Sequence, residues 1–236
     1  MRISTLFDYC LSIPKSLYVN LKLLPIKEAI KLKILVKYDV KLIQVNGNAE
    51  LCGGGRFWFG FGQVSEFQGE RSILSVRGRL VILGSASFGP GSRLIVEPNG
   101  KLVIGRNFRM NAYSTITCWN SITFGDNCLL SWGIHISDTD YHYTINTDNN
   151  SLSPLIGNIY IGNDVWICMR TIILKNTLIP NGCIVGAFSL VNKKFDETYS
   201  LIAGNPAVVK KSHIRLAKKG EYPNIWPQNG SWHLSR

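Results

Sequence analysis

The stretch IGNDVWICMRTIILKNTLIPNGCIVGAFSLV, Ile161 to Val191, decides the fold. Ile161, Ile167, Ile173, Ile179, Val185 and Val191 recur every six residues. Four places after the first five of them stand Val165, Thr171, Thr177, Cys183 and Ser189, all small or β-branched. An amphipathic helix needs apolar residues at mixed spacings of three and four, and a half-buried strand needs strict alternation. A period of six fits neither. It fits short strands joined by tight corners and stacked as a solenoid, each aliphatic residue pointing into a narrow core and its small partner fitting near a corner.

Upstream the same period returns. Val76, Ile82, Phe88 and Leu94 are six apart, with Ala86 and Ser92 in the small slots. After Pro98-Asn99-Gly100 it is held by Ile104, Met110, Ile116 and Ile122, and then moves by two residues to Phe124, Leu130 and Ile136. The register predicts a solenoid from about residue 76 to 191, roughly six coils of about eighteen residues. One long polar break, Asp138 to Asn158, interrupts it. Loops projecting from a rigid repeat commonly carry function.

The ends differ in texture. Residues 1–40 alternate leucine or isoleucine with lysine and are broken by Pro14 and Pro25, which predicts one or two short helices and then an extended run near Lys33–Val45. After Val191 a basic tail carries Ile214, Leu216 and Trp226 and reads as a helix over the open end of the solenoid. The expected organisation is an N-terminal helical and extended segment (1–45), a solenoid (46–200) with its loop at 138–158, and a C-terminal capping segment (201–236).

The net charge of +11 sits at the ends. Residues 1–45 carry eight Lys/Arg against three Asp/Glu and residues 205–236 six against one, whereas the middle has twelve against eleven. That is not a basic groove for nucleic acid. Anionic cofactor phosphates, an anionic glycan or a membrane surface suit basic ends better. The six cysteines form no C-x-x-C pair and point to reduced thiols rather than a disulfide frame or a zinc site. No apolar run approaches a membrane span. Asp8 within the first apolar stretch argues against a signal peptide, so the expected compartment is the cytoplasm, including the inner face of the membrane if the lysine-rich segment meets lipid.

Three motifs occur in order: Ile161-Gly162-Asn163-Asp164-Val165-Trp166-Ile167, then Val185-Gly186-Ala187-Phe188-Ser189-Leu190-Val191, then Ala203-Gly204-Asn205-Pro206-Ala207. Together they resemble the signature of the hexapeptide-repeat acyltransferases, closest to the galactoside, maltose, xenobiotic and surface-polysaccharide O-acetyltransferases. The resemblance covers residues 76–212. It implies an all-β fold, a left-handed parallel β-helix, which is an exception to the right-handed crossover rule. It also implies a homotrimer with active sites between subunits, acetyl-CoA as acyl donor, a sugar or glycan acceptor and no metal.

Residue by residue, His142 matches the family's catalytic histidine. A sugar hydroxyl needs a base to accept its proton as it attacks a thioester, and histidine titrates in the right range. Asp138 and Asp140 flank it, and either could hold the imidazole in the useful tautomer. Asn111 matches a substrate-contacting asparagine, and Trp119 and Tyr141 are further candidates for the acceptor site. Trp166, Met169, Ala187, Asn192, Lys193 and Lys210 fall on cofactor-contacting positions, with the lysines as point charges for phosphate. Cys168 and Phe188 depart from the family pattern at positions where glycine is usual, and Met169 stands where a small polar residue is common. The expected function is O-acetylation of a bacterial surface polysaccharide or its precursor. The alternatives are a small-molecule acetyltransferase and a non-catalytic solenoid.

Overall fold

Each six-residue unit becomes one short strand and one corner, so three strands complete a coil. The computed structural model describes residues 3–62, 70–218 and 220–222. The first coil is β1 (Ile34–Val36), β2 (Lys41–Val45) and β3 (Asn48–Leu51), and the second is β4 (Phe57–Phe59), β5 (Ile73–Val76) and β6 (Arg79–Ile82). The third is β7 (Ala86–Phe88), β8 (Arg93–Val96) and β9 (Lys101–Ile104), and the fourth β10 (Phe108–Met110), β11 (Thr115–Cys118) and β12 (Ser121–Phe124). Then come β13 (Leu129–Leu130), β14 (His135–Ser137) and β15 (Asn158–Ile161), followed by β16 (Trp166–Ile167), β17 (Ile172–Ile173) and β18 (Thr177–Ile179). A seventh, partial coil has β19 (Ile184–Val185) and β20 (Leu190–Val191), and β21 (Leu201–Gly204) and β22 (Ala207–Lys211) end the stack. The three strands of each coil belong to three different sheets, which makes the solenoid a triangular prism with three corner edges. We call the sheets first, second and third in the order the chain visits them.

The six-residue period maps onto this geometry directly. One period carries the chain to the next sheet and three return it to the same column. Leu130, Ile167 and Val185 stack in the first sheet, Ile136, Ile173 and Val191 in the second, and Phe124, Ile161 and Ile179 in the third. All nine are buried. The small residues between them are buried at corners, where Thr171 Oγ1 donates to the Cys168 carbonyl at 2.9 Å and Ser189 Oγ to that of Gly186 at 2.7 Å. A large apolar side chain at 171 would remove the hydroxyl that donates to the Cys168 carbonyl.

The solenoid starts at Ile34, well before residue 76. β1 pairs with β4 and β2 with β5, both parallel and in register apart from one irregularity between Leu42 and Val45. The first-sheet core of these early coils is aromatic, with Phe57, Phe59, Phe88 and Phe108 forming a chain of ring contacts that continues to Phe124 of the third sheet, centroids 4.9–5.8 Å apart. The boundary expected at residue 45/46 therefore falls inside the first coil.

The open edge of β1 needs partners for its backbone groups. It finds them on α1 (Ile3–Leu23). Asn20 Nδ2 donates to the Ile34 carbonyl at 2.6 Å and Asn20 Oδ1 accepts the Ile34 N–H at 3.1 Å. Ser16 Oγ accepts the Val36 N–H at 2.9 Å, and Ser12 Oγ accepts the Tyr38 N–H at 3.0 Å. The match is geometric: four residues of helix rise about 6.0 Å and two of strand about 6.6 Å, so side chains at i, i+4 and i+8 meet alternate strand residues. The helix therefore buries a largely polar face, with Val19 and Leu23 alongside. A single further turn, α2 (Ile26–Ala29), follows before β1.

At the other end, β22 turns back antiparallel on β21. Residues 214–218 form no helix, and the rest of the expected C-terminal helix, Trp226 included, lies outside the described residues.

Candidate active site

The edge between the second and third sheets is tight in the early coils. Gly47, Gly78 and Gly100 stack there, and a Cβ on any of them would come within 2.3 Å of a carbonyl oxygen of the following coil. That edge opens in the fourth coil at Trp119-Asn120 and in the fifth, where the chain leaves the stack after Ser137 and returns at Asn158. The excursion is an arm with antiparallel bridges Thr139–Ile156 and Ile145–Leu152.

Leaving the stack removes the carbonyls that would have paired with the corner below. Asp138 replaces them. Its carboxylate accepts the Trp119 N–H at 2.7 Å and the Asn120 N–H at 2.8 Å, and its own carbonyl accepts the Gly157 N–H at 2.9 Å. The side chain is fully buried, and that burial pushes the carboxyl above its ordinary range although the N–H bonds pull the other way. Asp140 is engaged elsewhere. It pairs with Lys175 Nζ at 2.6 Å, and the same ammonium reaches the Pro154 carbonyl, tying both strands of the arm to the sixth coil. Neither carboxylate bonds to His142, so the expectation that one of them orients the imidazole is not met in the single chain.

His142 is exposed and makes no hydrogen bond or ion pair among the described residues. It follows Tyr141, whose φ of 62° lies in the left-handed region, a strained conformation of the kind that gathers at functional sites. The turn sets the Tyr141 ring edge-on to Trp119, centroids 5.8 Å apart at 81°. Trp119, Tyr141 and His142 thus share one corner, resting on Asp138. Asn192, Lys193 and Lys194 lie on this same edge in the seventh coil, and Lys194 bridges to Leu178 of β18. Two coils separate them from the arm, about 10 Å along the axis.

The remaining candidates lie on another edge, between the first and second sheets. Asn111 follows β10 there, Met169 follows β16 and Ala187 follows β19; Asn111 and Ala187 are exposed. Trp166 Nε1 donates to Ser131 Oγ at 3.4 Å, which turns the indole toward that edge. Phe188 has φ 57° and is exposed, and the Arg170 guanidinium lies over its ring at 5.7 Å. Lys210 is exposed on β22. In one chain, therefore, His142, Trp119 and Tyr141 stand on one edge of the prism and Asn111, Met169 and Ala187 on another.

His135 is the first residue of β14, in register between Thr115 and Ile172, at the opposite end of the strand from the arm. The cysteines are all free, with Cys118, Cys128 and Cys183 buried; burial pushes the Cys128 thiol up to about 12. Among the described residues no three His, Cys, Asp or Glu side chains gather into a metal-binding group. Lys175 and Ser131, which position the arm and Trp166, carry no local sequence signal, since their partners lie 35 residues away in the chain.

No family model matches the chain. It is 30% identical over 153 residues to WbbJ of Escherichia coli K12, whose name assigns it O-acetyl transfer in lipopolysaccharide biosynthesis; the match covers 58% of this chain and 77% of that protein. The chain belongs to the hexapeptide-repeat acyltransferases. It is also 34% identical over 112 residues to galactoside O-acetyltransferase of Escherichia coli K12, across 44% of this chain and about half (53%) of that one. The crystal structure of the polySia-specific acetyltransferase NeuO superposes with a TM-score of 0.52 at 19% identity, covering 80% of this chain and 91% of that one. The fold of this acyltransferase is the left-handed parallel β-helix. The positive φ at Phe188 gives a physical reason for glycine being usual there, since glycine adopts that backbone without steric cost.

Proposed function

We propose that this acyltransferase moves an acetyl group from acetyl-CoA to a hydroxyl of a sugar in a bacterial surface polysaccharide or its precursor, as a cytoplasmic homotrimer. The observation that carries this reading is the place of His142, exposed and next in sequence to Tyr141, whose ring pairs with Trp119 at the corner where the chain leaves the stack after Ser137. An aromatic pair offers a sugar ring an apolar face, and the histidine offers its hydroxyl a base.

Acetyl-CoA supplies the acyl group as a thioester. His142 accepts the hydroxyl proton as the new C–O bond forms and the C–S bond breaks, and then returns that proton to the departing thiolate. Lys193, Lys194 and Lys210 are exposed and carry no ion pair among the described residues, which suits them to the donor's phosphates. Asn111 is the amide that would bind the acceptor hydroxyl or donate to the developing oxyanion.

The split between two edges supports the assembly. His142 and Asn111 can serve one reaction if one chain's second-to-third-sheet edge faces the next chain's first-to-second-sheet edge. A head-to-tail contact of that kind closes as a ring. The arm adds exposed apolar side chains, Tyr143, Ile145 and Leu152, that a neighbour would cover.

Two measurements test this. CoA release across a panel of capsular and lipopolysaccharide glycans should reveal an acetylated polymer; turnover restricted to small drugs or amino-sugar nucleotides would replace the acceptor class. Inactive His142→Ala and Asn111→Ala chains, unfolded and refolded together in equal amounts, should regain about a quarter of wild-type activity, because about one interface in four pairs two intact edges. No recovery would place each site within one chain.

A further inference from the structure

The outward face of α1 has no partner among the described residues, and we infer that it is a docking surface for an anionic lipid bilayer. Val19 and Leu23 apart, the helix has its polar side in and its apolar side out. Ser12, Ser16 and Asn20 are buried against the edge of β1, while Leu6, Phe7, Leu11, Ile13, Leu17 and Leu21 are each 39–63% exposed. At about 100° per residue those six span an arc of about 160°, wider than the stripe a globular helix usually shows its own core. No charged residue falls within that arc between Leu6 and Leu21. Lys22 borders it, its ammonium 5.8 Å from the Tyr18 ring, and exposed Lys27 lies just beyond the helix. A broad apolar face with lysines at its margin is the pattern of a helix that lies in the plane of a membrane surface. No helix among the described residues is long and apolar enough to cross one.

Direction separates this occupant from a second copy. Hydrogen bonds between coils run along the solenoid axis, and α1 continues that bonding at the edge of β1, so its opposite face points out along the axis. Neighbours packed side by side leave it uncovered. Only head-to-head pairing would cover it, and that would oppose two segments each with eight Lys/Arg against three Asp/Glu. Like charges disfavour that pairing, whereas an anionic leaflet complements it. In a ring of parallel solenoids all such faces point the same way, so several helices would engage one surface together. The inference rests on the helix alone and does not depend on which acyl group or acceptor is used.

Flotation of the full chain with vesicles of two parts phosphatidylcholine to one part phosphatidylglycerol tests it. The wild type should float with the vesicles, less so at high salt. Phe7→Ser/Leu11→Ser/Leu17→Ser should cut the bound fraction about tenfold or more with its Tm kept, because these side chains are exposed. Lys22→Gln/Lys27→Gln should lose the preference for phosphatidylglycerol. A wild type that stays with the soluble fraction at low salt overturns the inference, as does a triple variant that floats as well as the parent. A triple variant whose mass in light scattering is half that of the parent would assign the face to a second copy instead. Acetyl transfer to a soluble acceptor should be the same in all these variants, so binding and catalysis are read independently.

Discussion

Asp138→Ala removes the acceptor for two part-buried backbone N–H groups, those of Trp119 and Asn120. Each such group left unpaired costs about 1–3 kcal/mol, so the substitution should destabilise the chain by about 2–6 kcal/mol. For a chain of this length that is a fall in Tm of about 2–4 °C per kcal/mol. Asp138→Asn keeps one acceptor and turns an NH₂ toward the second N–H, a smaller loss of about 1–3 kcal/mol. Hydrogen exchange at the Trp119 and Asn120 amides should quicken in both variants. The pH dependence has a definite sign. Burial holds this carboxyl above the usual carboxylate range. Its contribution to stability is therefore complete below the unfolded value of about 3.9 and is lost as pH rises through the folded value. Asparagine cannot titrate, so the stability gap between wild type and Asp138→Asn should narrow from acid toward neutral pH. Thermal melts across that range check it. An unchanged Tm in Asp138→Asn with kcat reduced more than about a hundredfold would show that this carboxylate acts on His142 instead. A gap that widens toward neutral pH would show that the N–H bonds outweigh burial.

His142→Ala should lower kcat by about 10²–10⁴-fold in the CoA-release assay, while acetyl-CoA binding by calorimetry persists and His135→Ala stays near wild type. Replacing Lys193 and Lys210 with Ala should raise the KM for acetyl-CoA and leave the melting curve in place, since exposed charges contribute little to stability; a change confined to the acceptor KM would assign them to the other ligand. Asn20→Ala strips both partners from the Ile34 peptide groups and should cost about 2–6 kcal/mol in denaturant titration, with faster exchange at Ile34.

Much of the solenoid could be read from Ile161–Val191 because a buried column tolerates little besides aliphatic residues at one fixed phase. Even the two-residue slip after Ile122 has a structural source: Ile122 and Phe124 both point inward from β12, one in each of its two columns. The first coil and β4 escaped that reading because the links around them are longer and the inward residues Phe57 and Phe59 do not fall on the period. α1 was harder still. Sequence patterning expects a helix to bury its leucines, but this one meets a strand edge, which asks for hydrogen bonds and so buries Ser12, Ser16 and Asn20. At the site, His142 and its aromatic neighbours follow from position in the repeat. The duties of Asp138 and Asp140 do not, because their partners, Trp119 and Lys175, lie 19 and 35 residues away.

The side-chain seal over β1 also settles what the chain does not become. Stacked parallel strands in register are the same arrangement that lets fibrils grow, each end a mould for the next identical strand. Ser12, Ser16 and Asn20 occupy the donors and acceptors a recruited strand would need, and the antiparallel return of β22 shields the last strand of the first sheet. Length is thereby fixed by the two terminations rather than by anything within the repeat. Whole coils could be added or lost between them without turning an enzyme into a filament, provided both terminations stay in place.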